Sequence, residues 1–120
     1  MLELDEIKDQ LGIHADTLAL SDVRPEVPDG DPVIPSPWEK ALSNMSLRAV
    51  ARLSAWSGLD LSQQAVIDAL SPIDLVNLQE AQLLLVKAEI VRRYAVQENL
   101  DPEDVRTGGT EGIQIKQGRL

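Results

Sequence analysis

Apolar and polar positions alternate along this chain with two different rhythms. Leu4, Ile7 and Leu11 recur at helical spacing and Gly12 supplies a stop, so residues 3–11 are predicted to form a short amphipathic helix. A second run, Trp38, Leu42, Met45, Ala49, Leu53 and Trp56, steps by four, three, four, four and three and ends before Gly58. It predicts one apolar face on a longer helix, with Ser36, Pro37 and Glu39 as its capping box. Ser46 could cap a separate helix and so break the run near 44–46. A third helix fits residues 62–70 through Ala65, Val66, Ala69 and Leu70. Ser71, Pro72 and Asp74 then open a run to about Glu98 that holds no further Gly or Pro. At its centre, Leu83, Leu84, Leu85 and Val86 are apolar around the whole circumference. Such a helix is expected to be covered on more than one side, by its own domain or by other subunits.

Between these helices the helical rhythm stops. Residues 14–37 contain Pro25, Pro28, Pro32, Pro35 and Pro37. Each proline removes a donor and biases its predecessor toward extended backbone. The segment reads as a stiff polyproline-like arm or as a disordered linker, and the residues leave both open. Residues 18–23 are its strand candidate. Beyond Pro102 the chain ends in VRTGGTEGIQIKQGRL, where Gly108, Gly109 and Gly112 permit changes of direction and Ile113 and Ile115 alternate with Gln114 and Lys116. This rhythm is strand-like, yet an isolated strand of that length has no stability in water. A partner's sheet edge or a groove between subunits would supply the pairing. The expected organisation is a single all-α domain, a small helical bundle around one long central helix: a short helix at 1–13, an extended Pro-rich N-terminal arm at 14–37, a helical body at 38–100 and a partner-binding tail at 101–120.

Charge sharpens this picture. The chain has 120 residues and a net charge of −9. Residues 1–40 carry ten acidic against three basic side chains, whereas 41–97 carry five of each. As a whole it therefore lacks the clustered Lys and Arg that hold nucleic-acid phosphates. No stretch approaches the roughly 20 consecutive apolar residues of a membrane span, and MLELDEIKD is acidic where a signal peptide is basic. The expectation is a soluble, intracellularly made chain with no membrane association.

Candidate chemistry is sparse. Cysteine is absent and His14 is the sole histidine, which excludes a disulfide framework, a cysteine-based zinc site and a multi-histidine metal site. His14 follows a helix stop and reads as a solvated turn residue. Asp29, Gly30 and Asp31 lack the acid spacing of a calcium loop, and the glycines of TGGTEG lack the Lys-Ser or Lys-Thr of a phosphate loop. Asp101, Glu103 and Asp104 beside Pro102 read as charged residues at a helix end. Nothing here assembles a nucleophile with a base, so no enzymatic activity and no cofactor are expected. SLRAVARLSAWSGLDLSQQAVIDAL resembles a helix-turn-helix module, but its turn glycine, Gly58, comes late and no Lys or Arg occurs from Leu53 to Val86. Its second helix would offer bases only Gln63 and Gln64. Arg48 and Arg52, one turn apart, could touch a DNA backbone, face solvent or receive the acidic arm of a neighbour.

Taken in order, the opening LDEIKDQLGI, the packed middle helices, the long apolar AQLLLVKAEIVRRY and the glycine-rich tail resemble the head-to-tail connector (adaptor) proteins of tailed bacteriophages. The resemblance covers residues 3–12 and 75–118 and lies in the order of elements, since that family has no diagnostic motif. It implies a structural virion protein that forms an oligomeric ring and docks on the portal and neighbouring neck or tail proteins through its C-terminal segment. DNA would pass non-specifically through an acidic channel. On this reading Gly108, Gly109, Gly112, Ile113, Ile115, Lys116 and Arg119 bind the partner, and Arg48, Arg52, Leu83, Leu84, Arg92 and Arg93 are candidates for the subunit interface. The alternative is a small helix-turn-helix-like regulatory or DNA-packaging protein of the small-terminase kind.

Overall fold

Residues 1–98 are described by a computed structural model, and they form a mainly helical domain, as the periodicity predicts. Helix α1 spans Leu4–Leu11, α2 Pro37–Ser57, α3 Gln64–Asp68 and α4 Pro72–Gln97, with a 3-10 turn at Ala15–Leu18. No strand occurs among the described residues. The 26-residue α4 is about 39 Å long at about 1.5 Å per residue. It packs mainly against α2, and α1 and the 3-10 turn close over the pair.

Local chemistry sets the helix ends. Ser36 accepts the Glu39 N–H at 3.1 Å while the Glu39 carboxylate accepts the Ser36 N–H at 2.9 Å, so the capping box at α2 is complete. Ser71 caps α4 by accepting the Asp74 N–H at 3.2 Å, with Pro72 at the first position. Gly12 and Gly58 end α1 and α2 at φ of 69° and 75°, in the left-handed region that favours glycine. Helix α2 runs unbroken through 44–46, and Ser46 is used in a side-chain bond instead of a cap. Helix α3 is shorter than its pattern suggests. Ser62 turns its hydroxyl and its N–H to Asp60, and Gln63 stands at the N-cap with no side-chain cap bond.

The core is aliphatic around one tryptophan. Ile7 and Leu11 of α1, Leu18 of the 3-10 turn, Trp38, Leu42, Met45 and Ala49 of α2, and Val86 and Ile90 of α4 form one buried cluster together with Leu2. Fully burying one such side chain is worth about 1.5–3 kcal/mol.

Three expectations are corrected by this arrangement. Residues 14–37 are not extended throughout, because Leu18 is drawn into the core on a 3-10 turn and Ala19 closes that turn at φ 56°. Residues 18–23 consequently form no strand. Trp56, on the apolar face read from the sequence, is 69% exposed. At 83–86, Val86 is buried and Leu83 and Leu85 pack on the core in part, but Leu84 is 64% exposed. Among the described residues, the elements around α4 cover one side of it.

Candidate interaction surfaces

Glu39 is the most heavily bonded side chain at the base of the proline-rich segment. It lies at the start of α2 with 1% of its side chain exposed, where an unpaired carboxylate would be costly. Arg24 meets it with two nitrogens, Nη2 at 2.7 Å and Nε at 2.9 Å, and Lys8 of α1 approaches at 3.2 Å. The Arg24 contact and the Ser36 N–H hold the Glu39 carboxyl well below the usual carboxylate range. Lys8 also reaches Asp22, which accepts the Ser36 hydroxyl at 2.9 Å, and the Trp38 N–H donates to the Ser21 carbonyl at 3.0 Å. Both ends of the excursion at residues 25–35 are thereby fixed, while Val33 and Ile34 within it stay exposed. With its oxygens taken by two cations and a backbone donor, Glu39 is arranged to hold structure and not to exchange protons with a substrate.

Gln82 performs a similar task at the other terminus. Fully buried on α4, it accepts the Leu2 N–H at 2.8 Å and donates to the Leu2 carbonyl at 3.1 Å and the Ser46 hydroxyl at 2.9 Å. Those bonds tie the segment before α1 to α2 and α4. Gln97, near the end of α4, donates to the Leu18 carbonyl at 2.9 Å.

The interface candidates divide into two groups. Arg48 of α2 and Arg93 of α4 both bond Glu89; the Arg48 pair braces α2 against α4, and the Arg93 pair lies one turn along α4 itself. The hydrogen bond from Arg48, aided by the charges of Arg48 and Arg93, holds the Glu89 carboxyl below its ordinary value against the opposing effect of burial. Arg52 and Arg92 are exposed. Leu83 is half-buried against the core, whereas Leu84 stands on the opposite side of α4, in line with the exposed Ile73 and Val91. Gly108, Gly109, Gly112, Ile113, Ile115, Lys116 and Arg119 lie outside the described residues.

A further apolar surface appears where α2 gives way to α3. An open hollow of about 380 Å³ is lined by Leu59, Ala65, Val66, Ala69 and Leu70. Trp56 stands one turn of chain before Leu59. The sequence pattern marks these residues as apolar but not as uncovered, since periodicity shows a face without showing how far its cover extends. The stretch likened to a helix-turn-helix module consists here of the end of α2, a turn and the five-residue α3, in which Gln64 is bonded to Asp68.

No helix among the described residues is long and apolar enough to cross a membrane. Nor do three or more His, Asp or Glu side chains gather there as metal ligands. No protein-family model, curated protein or solved structure matches the chain.

Proposed function

We propose that this chain is a non-enzymatic structural subunit of a tailed-bacteriophage particle, working as a head-to-tail connector in a ring of identical copies, with residues 101–120 as its docking segment and the portal and neighbouring neck proteins as its partners. The observation that supports this reading most is the uncovered side of α4, where Ile73, Leu84 and Val91 lie exposed along the helix that forms the centre of the fold. Rows of exposed apolar residues on a small domain mark surfaces that associate. The carboxylates with perturbed titration, Glu39, Glu89 and Asp60, are each explained by bonds made within the chain. The acidic surplus suits a channel through which DNA passes without adhering.

Native mass spectrometry of the full chain, alone and mixed with portal and neck proteins, tests the proposal. A closed homo-oligomer that binds a portal assembly is expected. A chain that stays monomeric with every neck partner, or that binds DNA with a steep salt dependence, would replace this reading with the regulatory one. Deletion of 109–120 should leave the helical domain and its melting nearly unchanged while preventing incorporation into particles. Incorporation at wild-type occupancy would remove the tail from the docking role.

A further inference from the structure

The hollow at the α2–α3 corner is open and apolar, and residues 113–119 carry Ile113, Ile115, Lys116 and Arg119. We infer that residues 113–119 of one copy occupy the hollow lined by Leu59, Ala65, Val66, Ala69 and Leu70 on a second copy of the same chain. This deepens the connector reading and rests on its oligomeric part.

Shape and polarity argue first. The lining is apolar, and Leu59 remains 39% exposed at its margin. In an extended segment, Ile113 and Ile115 project to one side, two residues apart, as a pair of apolar anchors for such a hollow. Charge argues second. From Leu53 to Val86 the chain carries Asp60, Asp68, Asp74 and Glu80 and no Lys or Arg. Asp60 adjoins Leu59 and Asp68 adjoins Ala69, so carboxylates border the lining residues in the chain. The Ser62 hydroxyl and N–H hold the Asp60 carboxyl below its ordinary value. Residues 112–120 carry Lys116 and Arg119 and no acid.

Geometry decides between the same chain and another. The hollow precedes Pro72, at one end of α4, and the tail follows Gln97, at the other, about 39 Å away. Fifteen residues lead from Glu98 to Ile113, so covering about 39 Å would take roughly 2.6 Å per residue, most of the roughly 3.3–3.6 Å available at full extension. Return to its own hollow would demand a stretched path, whereas the hollow of a neighbour can be brought to the tail. Complementary elements at opposite ends of a rigid helix produce head-to-tail association, which closes into a ring when the rotation between copies suits.

The absence of cysteine permits a direct test. Full-length Ile115→Cys is mixed with full-length Ala69→Cys and oxidised mildly. A disulfide-linked heterodimer exceeding either homodimer is expected, and a linked monomer from the double variant without heterodimer in the mixture would overturn the assignment to a second copy. In parallel, Lys116→Glu with Arg119→Glu should weaken self-association at least tenfold, and Asp60→Lys with Asp68→Lys in the partner chain should restore it. Rescue separates a broken contact from a broken fold. If native mass spectrometry shows a ring but cross-linking and charge reversal have no effect, or the tail cross-links to portal alone, this inference fails and the connector reading stands. A chain monomeric at all concentrations overturns both.

Discussion

Replacing Glu39 by glutamine keeps the volume of the side chain but removes the charge that Arg24 and Lys8 share. The loss should be about 2 kcal/mol, less than for a fully enclosed pair because both cations are partly exposed. For a domain of this size that lowers Tm by roughly 10 °C, measured by circular dichroism. The pH dependence has a definite sign. Because the folded-state pKa of Glu39 is depressed, its contribution is fully present above the unfolded value of about 4.3 and is lost as pH falls through the lower folded value. Wild type should therefore lose stability steeply below about pH 4.3, and Glu39→Gln should show a shallower fall. Parallel curves for the two proteins would show that the network contributes little. Part of this role is readable locally, since Ser36 and Glu39 stand at capping-box spacing. The rest is not, because Arg24 reaches Glu39 from inside a proline-rich stretch whose path periodicity does not specify.

At the scale of elements, the signals that act over a few residues are the ones legible in the sequence. Ser36, Ser71, Gly12 and Gly58 mark helix ends by short-range bonding and backbone preference, and each does so in the structure. Gly58→Ala should cost about 1–2 kcal/mol, because φ of 75° strains any side chain even though nothing lies within 4 Å of the added Cβ. A loss confined to the backbone term keeps the fold intact, so heteronuclear spectra should change near 58 alone while Tm falls. Bonds made across the chain are illegible in the same sense. Gln82 reads as one polar residue beside an apolar run, and its partner Leu2 is 80 positions away. Gln82→Leu should leave the Leu2 N–H and carbonyl without partners and cost about 3 kcal/mol. Faster amide exchange across α1 would accompany that loss, and unchanged protection there would contradict the role given to Gln82.

At the scale of the molecule, the all-α class and the long helix α4 follow from periodicity, but the extent of cover over that helix does not. The pattern at 83–86 predicts cover on more than one side, from the same domain or from other subunits, and the described residues enclose Val86 while leaving Leu84 in solvent. A single chain of this length has limited surface with which to wrap a helix about 39 Å long. The consequence is a separation of folding from assembly that can be measured. Leu84→Asp places a charge where it is solvated in the isolated chain, so the variant should fold with a Tm within a few degrees of wild type. If the exposed side of α4 is a subunit contact, the same carboxylate is desolvated without a partner on association, and assembly should weaken by several kcal/mol. Val86→Asp is the internal control, since burying that charge should unfold the domain whether or not copies associate. Sedimentation velocity on both variants reads the outcome. A folded, monomeric Leu84→Asp assigns this side of α4 to the subunit contact, and a folded variant that assembles like wild type moves the contact elsewhere on the chain.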